Sequence, residues 1–101
     1  MPNIKFSYFY RDSCNYKNWG SVIFLKPHNS SIKEIEGVIK RKLIEETWFY
    51  PNEWKLPNLY FETLDINNDP TWHEFENISL SNEEPNIQFK IDGETFYFKP
   101  L

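Results

Sequence analysis

One segment of this sequence has the ligand spacing of a calcium-binding loop. Residues 65–69 (Asp-Ile-Asn-Asn-Asp) and Glu76 place side-chain oxygens at positions one, three, five and twelve of such a loop. The loop needs glycine at its sixth position for a sharp turn, and Pro70 stands there. We therefore interpret the segment as a turn in which Asn and Asp side chains accept hydrogen bonds from nearby backbone amides.

The cysteine and the two histidines could supply nucleophilic or metal chemistry. Cys14 with His28 or His73 has the residue types of a nucleophile and its base, but its local sequence matches no cysteine-enzyme signature. His73 lies beside Glu74 and Glu76, but one histidine with alternating carboxylates is weak support for a metal site. The favoured interpretation is a surface histidine whose charged form is stabilised. We predict no catalytic residue, no metal site and no cofactor.

A loop after the first apolar segment holds the densest mixture of cationic, amide and aromatic side chains. Arg11, Asp12, Tyr16 and Trp19 are the residue types found at binding hot spots and at stacked nucleotides. A small hydrolase or nuclease site is one interpretation, although the negative net charge disfavours nucleic acid. The alternative is structural, with Arg11 in an ion pair and Trp19 in the core.

Charge is divided unevenly along the chain. Residues 1–61 carry nine Lys or Arg and six acids, a net charge of +3, whereas residues 62–101 carry two and nine, a net charge of −7. No basic residue lies between Lys55 and Lys90. Such an acidic stretch repels nucleic-acid phosphates and attracts a basic protein surface. The alternative is a solvated face that only aids solubility.

Length and composition limit the class of protein. The 101 residues predict a single domain, residues 1–101. A 19% aromatic content with only three glycines excludes a disordered tail, a collagen-like chain and a coiled coil. One cysteine excludes an internal disulfide. Without a signal-peptide pattern or a long apolar run, we expect a soluble, cytoplasmic protein with no membrane contact.

Several segments alternate in the manner of strands. In Lys5–Tyr10 the residues Phe6, Tyr8 and Tyr10 fall on one side. Residues 11–20 are predicted to form a loop. Further strands are predicted at 21–25, 59–64 and 72–80.

One helix is predicted over residues 31–47. Ser31 and Glu34 fit a capping box, and apolar residues recur at helical spacing. Gly37 within the helix is interpreted as making room for a neighbouring segment. Pro51 places the helix end near Thr47.

A β-hairpin is predicted over residues 87–98. Asp92-Gly93 is a strong turn signal between alternating runs, and it sets Phe89 opposite Phe96 on one face. The predicted fold is therefore α+β, an antiparallel sheet of about five to six strands with the helix packed on one face.

Four segments resemble a family of small, uncharacterised bacterial cytoplasmic proteins. They are residues 6–20 (FSYFYRDSCNYKNWG), 31–36 (SIKEIE), 57–62 (PNLYFE) and 72–75 (WHEF). The resemblance covers most of residues 4–85 but not the final hairpin. It implies a bacterial or phage origin and a single compact domain, and it implies no site.

The leading functional expectation is a non-enzymatic module that binds a basic protein surface, such as an inhibitor, an immunity protein or a phage counter-defence protein. Trp72 would be the anchor of that surface. Its expected binding residues are Glu62, Asp65, Asp69, Trp72, Glu74 and Glu76. Direct nucleic-acid binding is not expected. The alternatives are the hydrolase or nuclease, which would use the Arg11–Trp19 loop, and a homodimeric structural protein that pairs a sheet edge. The aromatic residues left over for function are Tyr16, Trp19, Trp54 and Trp72.

Overall fold

The computed structural model describes residues 2–92 and 95–101. Its elements are β1 (Asn3–Arg11), β2 (Lys17–Leu25), α1 (Ile32–Lys42), β3 (Trp48–Phe49), β4 (His73–Ser81), β5 (Ile87–Asp92) and β6 (Thr95–Pro100). The α+β class is confirmed. The six described strands agree with the expected five to six. The expectation of a single sheet is corrected, because these strands form a four-stranded antiparallel sheet, ordered β2-β1-β4-β3, and a separate β5-β6 pair.

Strand β1 is an interior strand of the four-stranded sheet, and its successive side chains point to opposite faces of that sheet. The side chains of Phe6, Tyr8 and Tyr10 are buried on what we call the inner face, as their alternation predicts. The predicted loop at 11–20 is too long, because β1 continues to Arg11 and β2 begins at Lys17. The Asp12 carboxylate accepts two loop amides, which closes a shorter turn.

Helix α1 begins as predicted but ends early. The Ser31 hydroxyl accepts from the Glu34 amide and the Glu34 carboxylate accepts from the Ser31 amide, so the capping box is confirmed. The helix ends at Lys42 because Leu43 adopts an extended conformation. Its buried residues, Ile35 and Ile39, join the core.

Gly37 does not make room for a neighbouring segment. A Cβ atom built there would meet no heavy atom within 4 Å outside the helix's own backbone. That interpretation is therefore wrong.

Residues 50–72 contain turns and no strand, so the strand predicted at 59–64 is also wrong. Side chains of the sheet hold this segment over the inner face. The Tyr8 hydroxyl donates to the Pro57 carbonyl at 2.7 Å, and the Tyr10 hydroxyl donates to the Pro70 carbonyl at 2.7 Å. These bonds satisfy two backbone carbonyl groups of a segment that forms no strand ladder.

The β5-β6 hairpin is present, with a register two residues away from the prediction. Phe89 lies opposite Phe98 rather than Phe96. A shift of two residues leaves every side chain on the same face, so the predicted aromatic face is retained. Phe98 is fully buried and Phe89 stacks on Phe24 at 4.9 Å between ring centroids. The predicted Asp92-Gly93 turn lies partly outside the described residues.

Residues 82–86 carry the chain from β4 across β1 to the far edge of β2. The Asn3 amide group donates to the Glu83 carbonyl, and Lys5 forms an ion pair with the Glu83 carboxylate at 3.3 Å. Both side chains belong to the other, outer face of the sheet. The chain then reaches Ile23 through Asn86 and places the hairpin against the inner face. No helix in the described residues is long and apolar enough to cross a membrane.

Candidate functional site

The strand register brings four large side chains into one row on the outer face. Trp48 of β3 pairs with Glu74 of β4, Glu74 with Phe9 of β1, and Phe9 with Trp19 of β2. We call these four residues the outer row. The Phe9 and Trp19 rings lie 4.3 Å apart between centroids, and Trp19 covers Phe9 while staying 54% exposed itself. The row joins both sequence-predicted sites, because it contains Glu74 of one and Trp19 of the other.

Arg11 is held beside this row by three hydrogen bonds. Its Nε donates to Glu74 Oε2 at 2.8 Å, its Nη2 to Glu74 Oε1 at 3.4 Å, and its Nη1 to Asn15 Oδ1 at 2.6 Å. The guanidinium carbon also lies 5.6 Å from the centre of the Phe9 ring. These contacts favour the structural interpretation of Arg11, in which it connects β1 to β4 and stiffens the turn after β1.

The rest of the Arg11–Trp19 loop is organised around its own backbone. Asp12 Oδ1 accepts the amides of Cys14 and Tyr16, each at 2.9 Å. Tyr16 projects into solvent with 69% of its surface exposed. The Asp12 carboxylate therefore stabilises the turn.

A shallow groove lies at the β3 end of the outer row. Ile44, Trp48, Tyr50 and Trp72 line its volume of about 220 Å³, and we call it the outer groove. Ile44 is 49% exposed and Trp72 is 43% exposed, so two large apolar side chains face solvent together. Its position follows from the sheet, since Trp72 directly precedes β4 and Trp48 lies on β3.

The turn beside the outer groove has an unusual backbone. Glu45 and Glu46 both have positive φ angles, 51° and 59°. Non-glycine residues rarely adopt this region, and each such residue costs of order 1 kcal/mol. The amides of Thr47 and Trp48 both donate to the Ile44 carbonyl, and the Ile44 amide donates to the Trp48 carbonyl. This tight turn holds Ile44 against Trp48 and presents two glutamates next to the groove.

Most acids of the predicted binding surface have internal partners. Asp69 Oδ1 accepts the Ser13 hydroxyl at 2.6 Å and the Ser13 amide at 3.0 Å, and these bonds hold the pKa of Asp69 below its ordinary value. Asp65 accepts from the Asn67 amide and the Asn68 side chain, as the turn interpretation of this segment requires. Glu62 and Glu76 are exposed.

His73 lies in the core, which corrects its interpretation as a surface histidine with a favoured charge. It is fully buried, and its Nε2 accepts the Leu59 amide at 2.8 Å. The rings of Tyr8, Tyr10 and Tyr60 surround it at centroid distances of 6.1, 5.1 and 5.1 Å. Burial lowers its pKa from 6.5 to about 4, so it is neutral near pH 7.

The structure also bears on the remaining candidates for chemistry. Among residues 2–92 and 95–101, no three His, Cys, Asp or Glu side chains come together as a metal site. Cys14 and His28 are both exposed. Trp54 packs against the hydrophobic core, with its ring 4.8 Å from Phe49, so it is not a free surface aromatic.

No family model, curated protein or solved structure matches the chain. The resemblance to a bacterial family therefore stays a prediction.

The sequence did not reveal three of the four residues that line the outer groove. The helical pattern places Ile44 within the predicted helix, and Trp48 and Tyr50 follow the helix end predicted near Thr47. The signal available was the run of three aromatic residues, Trp48, Phe49 and Tyr50, directly before Pro51, because aromatic residues favour strands and proline limits a strand to an edge.

Proposed function

We propose that this protein is a small, non-enzymatic protein-binding module. Its outer groove would receive an apolar side chain from a basic protein surface. The observation that carries the proposal is the joint exposure of Trp72 and Ile44 in one groove on a sheet edge. Exposed apolar groups that lie together mark interaction sites more often than isolated ones do.

The groove has the composition of a binding hot spot. Tryptophan and tyrosine dominate the energetics of protein interfaces because they bury large areas with few rotatable bonds. The groove is also held in place before binding, since Trp48 lies on a sheet strand and Ile44 is hydrogen-bonded to it. A preformed groove reduces the entropy lost on association.

Charge supports a basic partner in a secondary role. Glu45, Glu46 and Glu76 are exposed, and within the described residues their carboxylates take part in no ion pair. They would speed the approach of a basic surface. Glu74 and Glu83 are already in ion pairs, so the apolar groove supplies most of the proposed affinity. Inhibition, as by an immunity or phage counter-defence protein, is the role we propose for such a module.

The hydrolase or nuclease alternative has no comparable support. It needs Arg11 and Asp12 available to a substrate, and both have hydrogen-bond partners within the protein. It stays a prediction from the sequence.

Selection from a displayed peptide library tests the proposal. We expect enriched peptides to combine Lys or Arg with an aromatic or aliphatic residue. Trp72→Ala should weaken their binding about thirtyfold, the usual loss at a hot-spot tryptophan. Tyr16→Ala is the matched control, because it removes an exposed aromatic from the loop instead.

Replacing Glu45 and Glu46 with Gln keeps the size of both side chains and removes their charge. We expect the association rate of the enriched peptides to fall and to depend less on salt concentration, with little change in their dissociation rate. Peptides that bind Trp72→Ala as tightly as the unmodified protein would refute the proposed site.

A further inference from the structure

Strand β2 forms one edge of the four-stranded sheet. The backbone amide and carbonyl of every second residue of β2 point away from β1, toward the open side of this edge. The Asp12 amide donates to the Tyr16 carbonyl, so the hydrogen-bonded pairs of the β1-β2 ladder continue as Tyr10 with Asn18 and Tyr8 with Gly20. The backbone groups of the odd-numbered residues of β2 therefore point outward. Ile23 agrees with this pattern, since its amide and carbonyl both bond outward to Asn86.

The open part of this edge has a defined length. At one end, the outward amide and carbonyl of Ile23 are already hydrogen-bonded to Asn86. At the other end Asn15 has a φ of 68°, which is not extended backbone. Three outward-facing residues lie between, namely Lys17, Trp19 and Ser21. In the described part of the chain their amides and carbonyls have no partner beyond the sheet.

We infer that a second copy of this chain pairs antiparallel along this edge, with the two-fold axis passing through Trp19. Trp19 then lies opposite Trp19 of the second copy, and Lys17 lies opposite Ser21 of the second copy. The backbone groups of Lys17, Trp19 and Ser21 then all form hydrogen bonds with the second copy, which gives three hydrogen-bonded residue pairs. The two sheets join into one continuous sheet, as in other strand additions to an exposed edge.

The limits of the open edge select this register. Moving the axis to Gly20 would set Lys17 against Ile23, whose groups Asn86 already occupies. Moving it to Asn18 would set Ser21 against Asn15, which is not extended. Either shift leaves two pairs instead of three.

The side chains at this edge suit a second copy better than a basic peptide. Lys17 is the single charged residue of β2, and the Trp19 register sets it against a neutral serine rather than another charge. A basic peptide would instead meet Lys17 with no acid on the strand to balance it. The two Trp19 indoles, each half exposed, would cover one another on the outer face.

The open backbone of β2 and the outer groove at β3 lie at opposite edges of the four-stranded sheet. The inferred dimer therefore does not depend on the proposed function and leaves the groove open. Failure of one leaves the other standing.

Amide hydrogen exchange at several protein concentrations, together with sedimentation, tests the pairing directly. Lys17, Trp19 and Ser21 amides should exchange quickly in dilute protein and become protected as dimer forms. Asn18 and Gly20 amides should stay protected throughout, because they belong to the β1 ladder. A protein that remains monomeric up to millimolar concentration, or a dimer that leaves the three amides unprotected, would overturn the inference.

Variants at Ser21 provide a second test. Ser21→Pro removes one edge amide and should raise the dissociation constant at least about tenfold, whereas Ser21→Ala keeps the amide and should change it little. Ser21→Lys should also weaken the dimer, because it faces Lys17 of the second copy, and Ser21→Glu should strengthen it. The Lys and Glu variants test the register even if Ser21→Pro does not fold. Equal dimerisation of these two would contradict the register.

Discussion

His73 connects the irregular segment 50–72 to the sheet through a single ring nitrogen. Because Nε2 accepts the Leu59 amide, the neutral ring carries its proton on Nδ1. Protonation of Nε2 would remove that acceptor and place a charge among the rings of Tyr8, Tyr10 and Tyr60. The bond to Leu59 therefore requires neutral His73.

We expect the stability of the protein to fall as the pH drops from about 6.5 to about 4. The pKa of His73 is lowered from 6.5 to about 4 in the folded state, so the unfolded chain binds the proton more strongly within this window. The contribution of His73 is complete above pH 6.5 and is lost on acidification, by at most about 3 kcal/mol. Urea unfolding across a pH series measures it.

His73→Phe should lower the free energy of unfolding at pH 7 and remove much of its slope between pH 6.5 and 4. His28→Gln, which changes the exposed histidine, should leave the slope intact. An unchanged slope in His73→Phe would assign the acid sensitivity to other groups. The sequence could not predict this role, because two neighbouring glutamates suggest a surface position and burial is decided by the distant tyrosines.

At the scale of elements, helix α1 contains one residue, Gly37, that makes the helix less stable than another residue would. Gly37 lies inside the helix with open space where a side chain would be. Glycine there costs conformational entropy without allowing any closer packing.

Gly37→Ala should therefore raise the free energy of unfolding by about 0.5–1 kcal/mol. Gly20→Ala is the contrasting variant, because its Cβ would lie 2.8 Å from Leu59 Cδ2 and would push that side chain away. We expect it to stabilise less than Gly37→Ala or to destabilise. Urea unfolding of both proteins measures the difference, and a destabilised Gly37→Ala would contradict the assigned environment.

Local sequence patterns predicted some elements and missed the ends of others. The capping box of Ser31 and the alternation around Tyr8 depend on near neighbours, and both are confirmed. The helix end was misplaced because Ile44 continues the helical stripe, although its hydrogen-bond partner is Trp48 of the edge strand. The outer groove depends on that same turn, so it could not be predicted either.

At the scale of the whole molecule, aromatic packing joins the β5-β6 hairpin to the four-stranded sheet. Phe98 is fully buried, and its ring lies 5.4 Å from Phe6 and 5.6 Å from Phe24 between centroids. A two-stranded hairpin alone is marginally stable, so these contacts account for its docking.

We expect Phe98→Ala to destabilise the protein by about 3–5 kcal/mol, through lost burial and a cavity at the junction of the two sheets. Tyr97→Ala is the control from the opposite face of β6, where the ring is 39% exposed, and it should cost far less. Urea unfolding, followed by tryptophan fluorescence and by circular dichroism, compares the free energies of unfolding of the two variants. Similar losses in both variants would mean that Phe98 is not the main contact.

The sequence predicts which side chains the hairpin buries but not where the hairpin packs. Alternation assigns Phe89 and Phe98 to one face whichever register forms. The division into two sheets depends on residues 82–86, where Glu83 and Asn86 contact strands about 60 to 80 positions earlier. No local pattern contains contacts of that separation.

The central position of β1 also constrains the order in which the chain assembles. Its β2 neighbour follows after a short turn, but its β4 neighbour lies far away, with Ser7 next to Asn77. During synthesis the β1-β2 pair emerges early, and Phe6, Tyr8 and Tyr10 remain without their final cover until most of the chain has followed. Closing such a long loop before its contacts form slows folding. Among the described strands, β1 has the largest number of aromatic residues, and the newly made chain leaves them uncovered until β4 has been made. This makes β1 the segment that a chaperone would protect first.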